Sequence, residues 1–161
     1  MPLTADEDIR ELLESARTIA MIGASDRPDR PSNRVMKVLQ DHGYRVIPVN
    51  PQITGEHIHG EYVFHDLTQI GVAIDIVDIF RPAQDCLAVV EQAIAVNAPA
   101  VWIQLGIVSI AAAERAEAAG LAVVMDRCTK IEHGRRHGSL HWAGMDTGVL
   151  TAKKARPGRV D

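Results

Sequence analysis

The chain has 161 residues, 47% of them hydrophobic and 24% charged, the balance of an ordinary globular protein with enough length for one substantial core. A formal net charge of −4 gives no electrostatic footing for nucleic acid, and no apolar run approaches the roughly 18 residues that a membrane helix needs. Two cysteines, Cys86 and Cys128, form neither a disulfide framework nor a zinc spacing, and the acidic start MPLTADEDIRE lacks the layout of a secretory leader, so a reducing cytoplasm is the expected location.

In chain order, Thr4-Ala5-Asp6-Glu7 has the form of a capping box, and Ile9, Leu12, Leu13 and Ala16 follow at helical spacing. A first helix over residues 5 to 16, packed on one edge of the domain, is expected. Thr18 to Ala24 is apolar on both faces, as a central parallel strand should be. A loop rich in Arg and Pro leads to a helix opening at Ser32, with Val35, Val38 and Leu39 on one side and Gly43 as its stop. Arg45 to Asn50 is the second strand, in which Pro48 predicts a bulge or a strand end. His57 to Asp66 has little periodicity, and Asp66 is placed to cap a short helix at Leu67 to Ile70.

Ile74 to Phe80 is the third strand; its alternation suggests one wet face, while Val77 and Ile79 favour burial. A helix follows Arg81-Pro82, with Leu87, Val90 and Ile94 as its apolar positions and Cys86 in the core. Ala100 to Leu105 is the fourth strand, closed by Gly106. Ser109 caps an alanine-rich helix that Gly120 ends, and Leu121 to Met125 is the fifth strand. Strands alternating with helices predict an α/β fold: a doubly wound parallel five-stranded sheet with helices on both faces. One domain over residues 1–140 is expected, then a loosely ordered basic tail over 141–161.

In an open parallel sheet, ligands bind beyond the carboxyl ends of the strands. That rule nominates Gly23-Ala24-Ser25, Val49-Asn50-Pro51, Phe80-Arg81-Pro82, Gln104-Leu105-Gly106 and Asp126-Arg127-Cys128. The first of these, between a buried strand and a helix start, is the usual frame for a phosphate: glycine lets the backbone approach and the helix N-terminus offers N–H groups. A nicotinamide dinucleotide is disfavoured. Of G-x-G-x-x-G only Gly23 remains, and strand two ends in Asn50-Pro51 with no carboxylate for the ribose. Arg27, Arg30 and Arg34 suit a ligand with more phosphate charge.

Gly23-Ala24-Ser25, Ser32 with Val35, and Gly43 to Pro51 resemble the CoA-binding domain family. Val77 to Arg81, Ala100 to Gly106, and Val124 to Cys128 running on through Lys130-Ile131-Glu132-His133 agree with it in the same order. The family is similar to the nucleotide-binding portion of the succinyl-CoA synthetase alpha subunit, here as a small stand-alone protein. The resemblance implies a Rossmann-like domain that binds coenzyme A or an acyl-CoA. Gly23, Ala24, Ser25 and the helix at Ser32 would take the pyrophosphate, and Arg27 would contact a phosphate. Val49, Asn50 and Pro51 would shape the adenosine side, Phe80 and Arg81 would line the path beside it, and Gln104 and Gly106 would face the pantetheine arm. The synthetase's phosphorylated histidine and catalytic domain have no counterpart, which leaves binding rather than catalysis as the expectation.

Cys128 is the alternative. Beside Arg127 and ahead of Lys130, its thiolate would be favoured by positive charge and could exchange with the thiol of bound coenzyme A, making an acyl-transfer or thiol-redox enzyme. A free cysteine is more often a small buried hydrophobe. A ligand-sensing regulatory subunit is a third reading, and an apolar outer helix face would permit a homodimer or a partner protein. His133, His137 and His141 lie four apart, but Gly134 and Gly138 break a helix there and Arg135-Arg136 would repel a cation, so no metal is expected. Asp75 is expected as a strand-edge charge.

Overall fold

A computed structural model describes residues 6–104 and 106–127 of the chain. Thr4 of the expected capping box, Cys128, the three spaced histidines and the expected C-terminal tail lie outside them. Helix α1 (Asp6–Ser15) leads into strand β1 (Thr18–Ile22), then α2 (Pro31–Asp41) and β2 (Arg45–Val49). A short hairpin of β3 (His57–Ile58) and β4 (Glu61–Tyr62) follows, and a single 3-10 turn at Leu67–Gln69. The chain then alternates through β5 (Ile76–Ile79), α3 (Ala83–Ala95), β6 (Ala100–Gln104), α4 (Ile110–Ala118) and β7 (Ala122–Arg127).

The five long strands form one sheet in the order β2-β1-β5-β6-β7, and every pairing in it is parallel. Successive side chains on a strand face opposite ways, which splits the core into two layers. Ile19 and Met21 of β1 join Ile9 and Leu13 of α1 and Val35, Met36 and Leu39 of α2. Ala20 and Ile22 join Cys86, Val89, Val90 and Ala93 of α3 and Ala112, Ala113 and Ala116 of α4. This is the expected α/β Rossmann-like arrangement with helices on both faces. Each fully buried Ile or Leu in these layers contributes about 1.5–3 kcal/mol.

Several expectations need correction. Pro48 makes neither a bulge nor a strand end: β2 pairs with β1 in unbroken register from Thr18↔Arg45 to Ile22↔Val49. The reason is position, because β2 is an edge strand, where a missing N–H is tolerated. The carbonyl of Pro48 points outward and accepts the Phe64 N–H at 3.0 Å, so its ring nitrogen faces away from β1 as well. The helix after the Arg/Pro loop begins at Pro31, one residue early, since proline's fixed φ suits a first helical turn.

On α3 the buried face is Cys86, Val89, Val90 and Ala93, while Leu87 is 41% exposed. All four residues of β5 are buried, Asp78 among them, and the Gln104 side-chain amide donates to the Asp78 carboxylate from the neighbouring strand. Asp75 is no free edge charge: its Oδ2 accepts the backbone N–H of Arg17 at 2.8 Å and of Thr18 at 2.9 Å. The cap at Asp66 stands as expected, accepting from the Thr68 N–H at 2.9 Å, and Ser109 accepts from the Ala112 N–H at 3.3 Å.

Candidate functional site

The chain lays β1 inside the sheet, crosses out to the edge strand β2 with α2 on one face, then returns to β5 on the other side of β1 and carries α3 on the opposite face. Beyond the carboxyl ends of β1 and β5 the connections therefore diverge, and a crevice opens between them. The structure has a cleft of about 510 Å³ there, walled by the segments that follow β1, β2, β5 and β6.

Gly23 sits at its base with φ +83, a conformation that L side chains rarely adopt. A Cβ at this position would lie 2.5 Å from the carbonyl oxygen of Phe80, so the turn needs glycine for space as well as for φ. The turn is pinned from both sides. Gly23 donates its N–H to the Val49 carbonyl at 2.9 Å, and the Phe80 N–H reaches the Ile22 carbonyl at 2.8 Å. The Asn50 side chain donates to the Ala24 carbonyl at 2.8 Å, and Asn33 of α2 donates to the Ser25 carbonyl at 2.9 Å. With the carbonyls held from behind, the backbone N–H groups of Ser25 and Asp26 have no acceptor among the described residues, nor does that of Ser32 in the first turn of α2. Pro31 has no N–H to offer, and no side chain caps this helix end.

Charge around the opening is mixed. Arg27 reaches Asp29 at 3.4 Å, and Arg81 holds Asp85 at 2.7 Å. The exposed Arg30 guanidinium makes no hydrogen bond or ion pair among the described residues. Among the described residues Asp26 is the one acid in the cleft wall, and Ile53, Phe80, Pro82 and Ile107 supply its apolar parts. Behind the Arg81-Pro82 segment lies the buried Cys86, whose Sγ is 3.6 Å from the Pro82 carbonyl oxygen. Burial pushes its thiol up to about 11, the Asp85 carboxylate adds to the rise and Arg81 opposes it, so it is a poor nucleophile at neutral pH.

Of the residues nominated from the sequence, Gly23, Ser25, Arg27, Ser32, Asn50, Phe80 and Arg81 line the cleft together. Ala24 and Val49 are buried beneath it, 1% and 2% exposed, and take part through backbone carbonyls. Pro51 lies beside the cleft without lining it; Gln104 and Gly106 are buried, Gln104 in the sheet interior against Asp78. Cys128 lies outside the described residues. Arg30, one of the three arginines read as suiting a phosphate-rich ligand, lines the cleft too, whereas sequence reasoning did not nominate Asp26, Pro31, Gln52, Ile53 or Ile107. Their signal was available in distance along the chain, since each falls within three residues of a nominated position.

Among the described residues no three His, Cys, Asp or Glu side chains are grouped to hold a metal, and no helix is long and apolar enough to cross a membrane. YneT of Bacillus subtilis is 40% identical over 126 residues, which cover 78% of this chain and 92% of that one. A solved structure from Pyrococcus horikoshii shares 40% identity at a TM-score of 0.81, covering 86% of this chain and 97% of its own. One from Thermus thermophilus shares 37% identity at a TM-score of 0.80, covering 83% of this chain and 99% of its own. The model of the CoA binding domain matches residues 17–134, from the start of β1 past the last described strand, and the chain belongs to that family.

Proposed function

We propose that the cleft binds coenzyme A or an acyl-CoA, with the pyrophosphate against the Gly23-Ala24-Ser25 turn and the first turn of α2. The observation that carries this reading is the set of backbone N–H groups at Ser25, Asp26 and Ser32, residues of the cleft wall, that have no acceptor among the described residues. Donors fixed by surrounding hydrogen bonds cost no reorganisation when an anion arrives, and the helix end adds its partial positive charge. Arg27, Arg30 and Arg81 are within reach of a ligand carrying three phosphate groups, two in the bridge and one on the ribose. Asn50 and Ile53 offer a wall for the adenosine, and Phe80, Pro82 and Ile107 an apolar path for the pantetheine arm.

Titration calorimetry with coenzyme A, NAD and ATP tests the reading on the intact chain. Coenzyme A is expected to bind tightest, and a Ser25→Asp variant to lose affinity by about tenfold or more, because a carboxylate there meets the pyrophosphate at contact distance. Tighter binding of NAD or ATP, or no heat with coenzyme A, overturns it.

A further inference from the structure

The hairpin between β2 and β5 carries an out-of-place residue at its tip. Ile58 pairs with Glu61, so His59-Gly60 is a two-residue turn, with φ +48 and +85. Both residues in left-handed conformation define the turn that best fits a twisted hairpin, and its first place favours Asn, Asp or Gly. A histidine costs more there, and its ring shows what it gains. Its Nε2 lies 3.1 Å from the Asn33 carbonyl oxygen and 3.0 Å from Asn33 Oδ1. Two oxygens around one ring nitrogen assign the hydrogen to Nε2. The His59 carbonyl in turn accepts from Gln40 Nε2 at 3.2 Å. Asn33 and Gln40 stand two turns apart on one side of α2, so the tip is fastened along the helix.

Asn33 is the junction. It is 7% exposed, and its amide has two ways round. With Oδ1 held by the imidazole N–H, Nδ2 points at the Ser25 carbonyl, which it reaches at 2.9 Å. The Ser25 hydroxyl then accepts the Arg27 N–H at 3.1 Å. A hydrogen-bonded line thus runs from the hairpin tip through α2 into the turn at the base of the cleft. We infer that His59 is a positioning residue: it sets the orientation of the Asn33 amide and so fixes the Ser25 peptide whose neighbouring N–H groups face the ligand. This rests on the coenzyme A reading above. It assigns the hairpin a part in ligand affinity although His59 itself does not line the cleft.

The test uses substitutions that suit the turn but remove the reach. His59→Asn and His59→Gly both favour the left-handed backbone, so each is expected to unfold no earlier than the wild type. Each is expected to weaken coenzyme A binding about fivefold, the worth of one hydrogen bond to an orienting group. In an Asn33→Ala background the junction is gone, and adding His59→Asn should then change affinity by less than about twofold. A purely structural turn residue would show none of this dependence on Asn33. If both folded variants bind coenzyme A as the wild type does, or the loss is the same with and without Asn33, the assignment of His59 is wrong while the cleft reading stands. If the wild type itself does not bind coenzyme A, the cleft reading fails first and this one with it.

Discussion

The two ends of the sheet are built from similar groups and put them to opposite use. At the amino-terminal end the donors are taken up within the fold. Asp75 accepts the N–H groups of Arg17 and Thr18, the Arg17 guanidinium returns to the carbonyls of Glu14 and Ala16, and the buried Tyr44 hydroxyl donates to the Leu13 carbonyl at 2.6 Å. At the carboxyl end the carbonyls of Ala24, Ser25 and Val49 are satisfied, while the N–H groups of Ser25, Asp26 and Ser32 and the Arg30 guanidinium, all on residues that line the cleft, have no acceptor among the described residues. Hydrogen bonds at one end close the fold, whereas at the other they leave donors open to a ligand of the kind proposed above. Stability and ligand affinity should accordingly separate by end, and substitutions can break or sharpen that division.

The largest effect is expected where both roles meet. Gly23→Ala places a Cβ 2.5 Å from the Phe80 carbonyl oxygen at a positive φ, and denaturant unfolding should show a loss of about 3 kcal/mol together with lost coenzyme A binding. A Gly23→Ala protein of wild-type stability would mean that the turn relaxes freely. Asp75→Ala leaves two backbone N–H groups without their acceptor and should cost about 2 kcal/mol, with ligand affinity unchanged. A fall in affinity there would join the two ends.

Tyr44→Phe should cost about 1 kcal/mol near neutral pH. Burial is the main cause that holds this phenol at about 12, against 10.0 for a free tyrosine. The unfolded chain therefore releases its proton first, so the contribution is whole below pH 10 and is lost as the pH climbs toward 12; the variant should show less alkaline destabilisation than the wild type. The smallest effect on stability is expected for Arg30→Ala at the open end. Thermal unfolding should not change, and coenzyme A affinity should drop about threefold, less at high salt because an exposed charge is screened.

What could be read from the chain beforehand follows the same division. β1 is apolar on both faces, the mark of a central strand covered by helices, whereas Asp78 gave β5 the look of a strand with one wet face although all four of its residues are buried. The cleft's position was legible too, since Gly23-Ala24-Ser25 and Phe80-Arg81 mark strand ends and parallel topology brings such ends together. Pro48 was misjudged because nothing local distinguishes an edge strand from a central one. The hairpin escaped because strands of two residues have no period, although His59-Gly60 is a turn dipeptide once left-handed histidine is allowed. On α3, Leu87-Val90-Ile94 and Cys86-Val89-Val90-Ala93 both satisfy helical spacing, and only the sheet decides which stripe is buried. Gln104 was assigned to the rim from its place near a strand end, yet alternation turns it inward to Asp78.

The proline of β2 has a consequence for how copies of this molecule meet. Its outward carbonyl and the N–H of Asn50 are already taken by Phe64, through bonds of 3.0 Å and 2.9 Å. Its ring offers no donor. A foreign strand approaching that side of the sheet finds the Pro48–Asn50 stretch occupied, and aggregation by strand addition is discouraged along this edge.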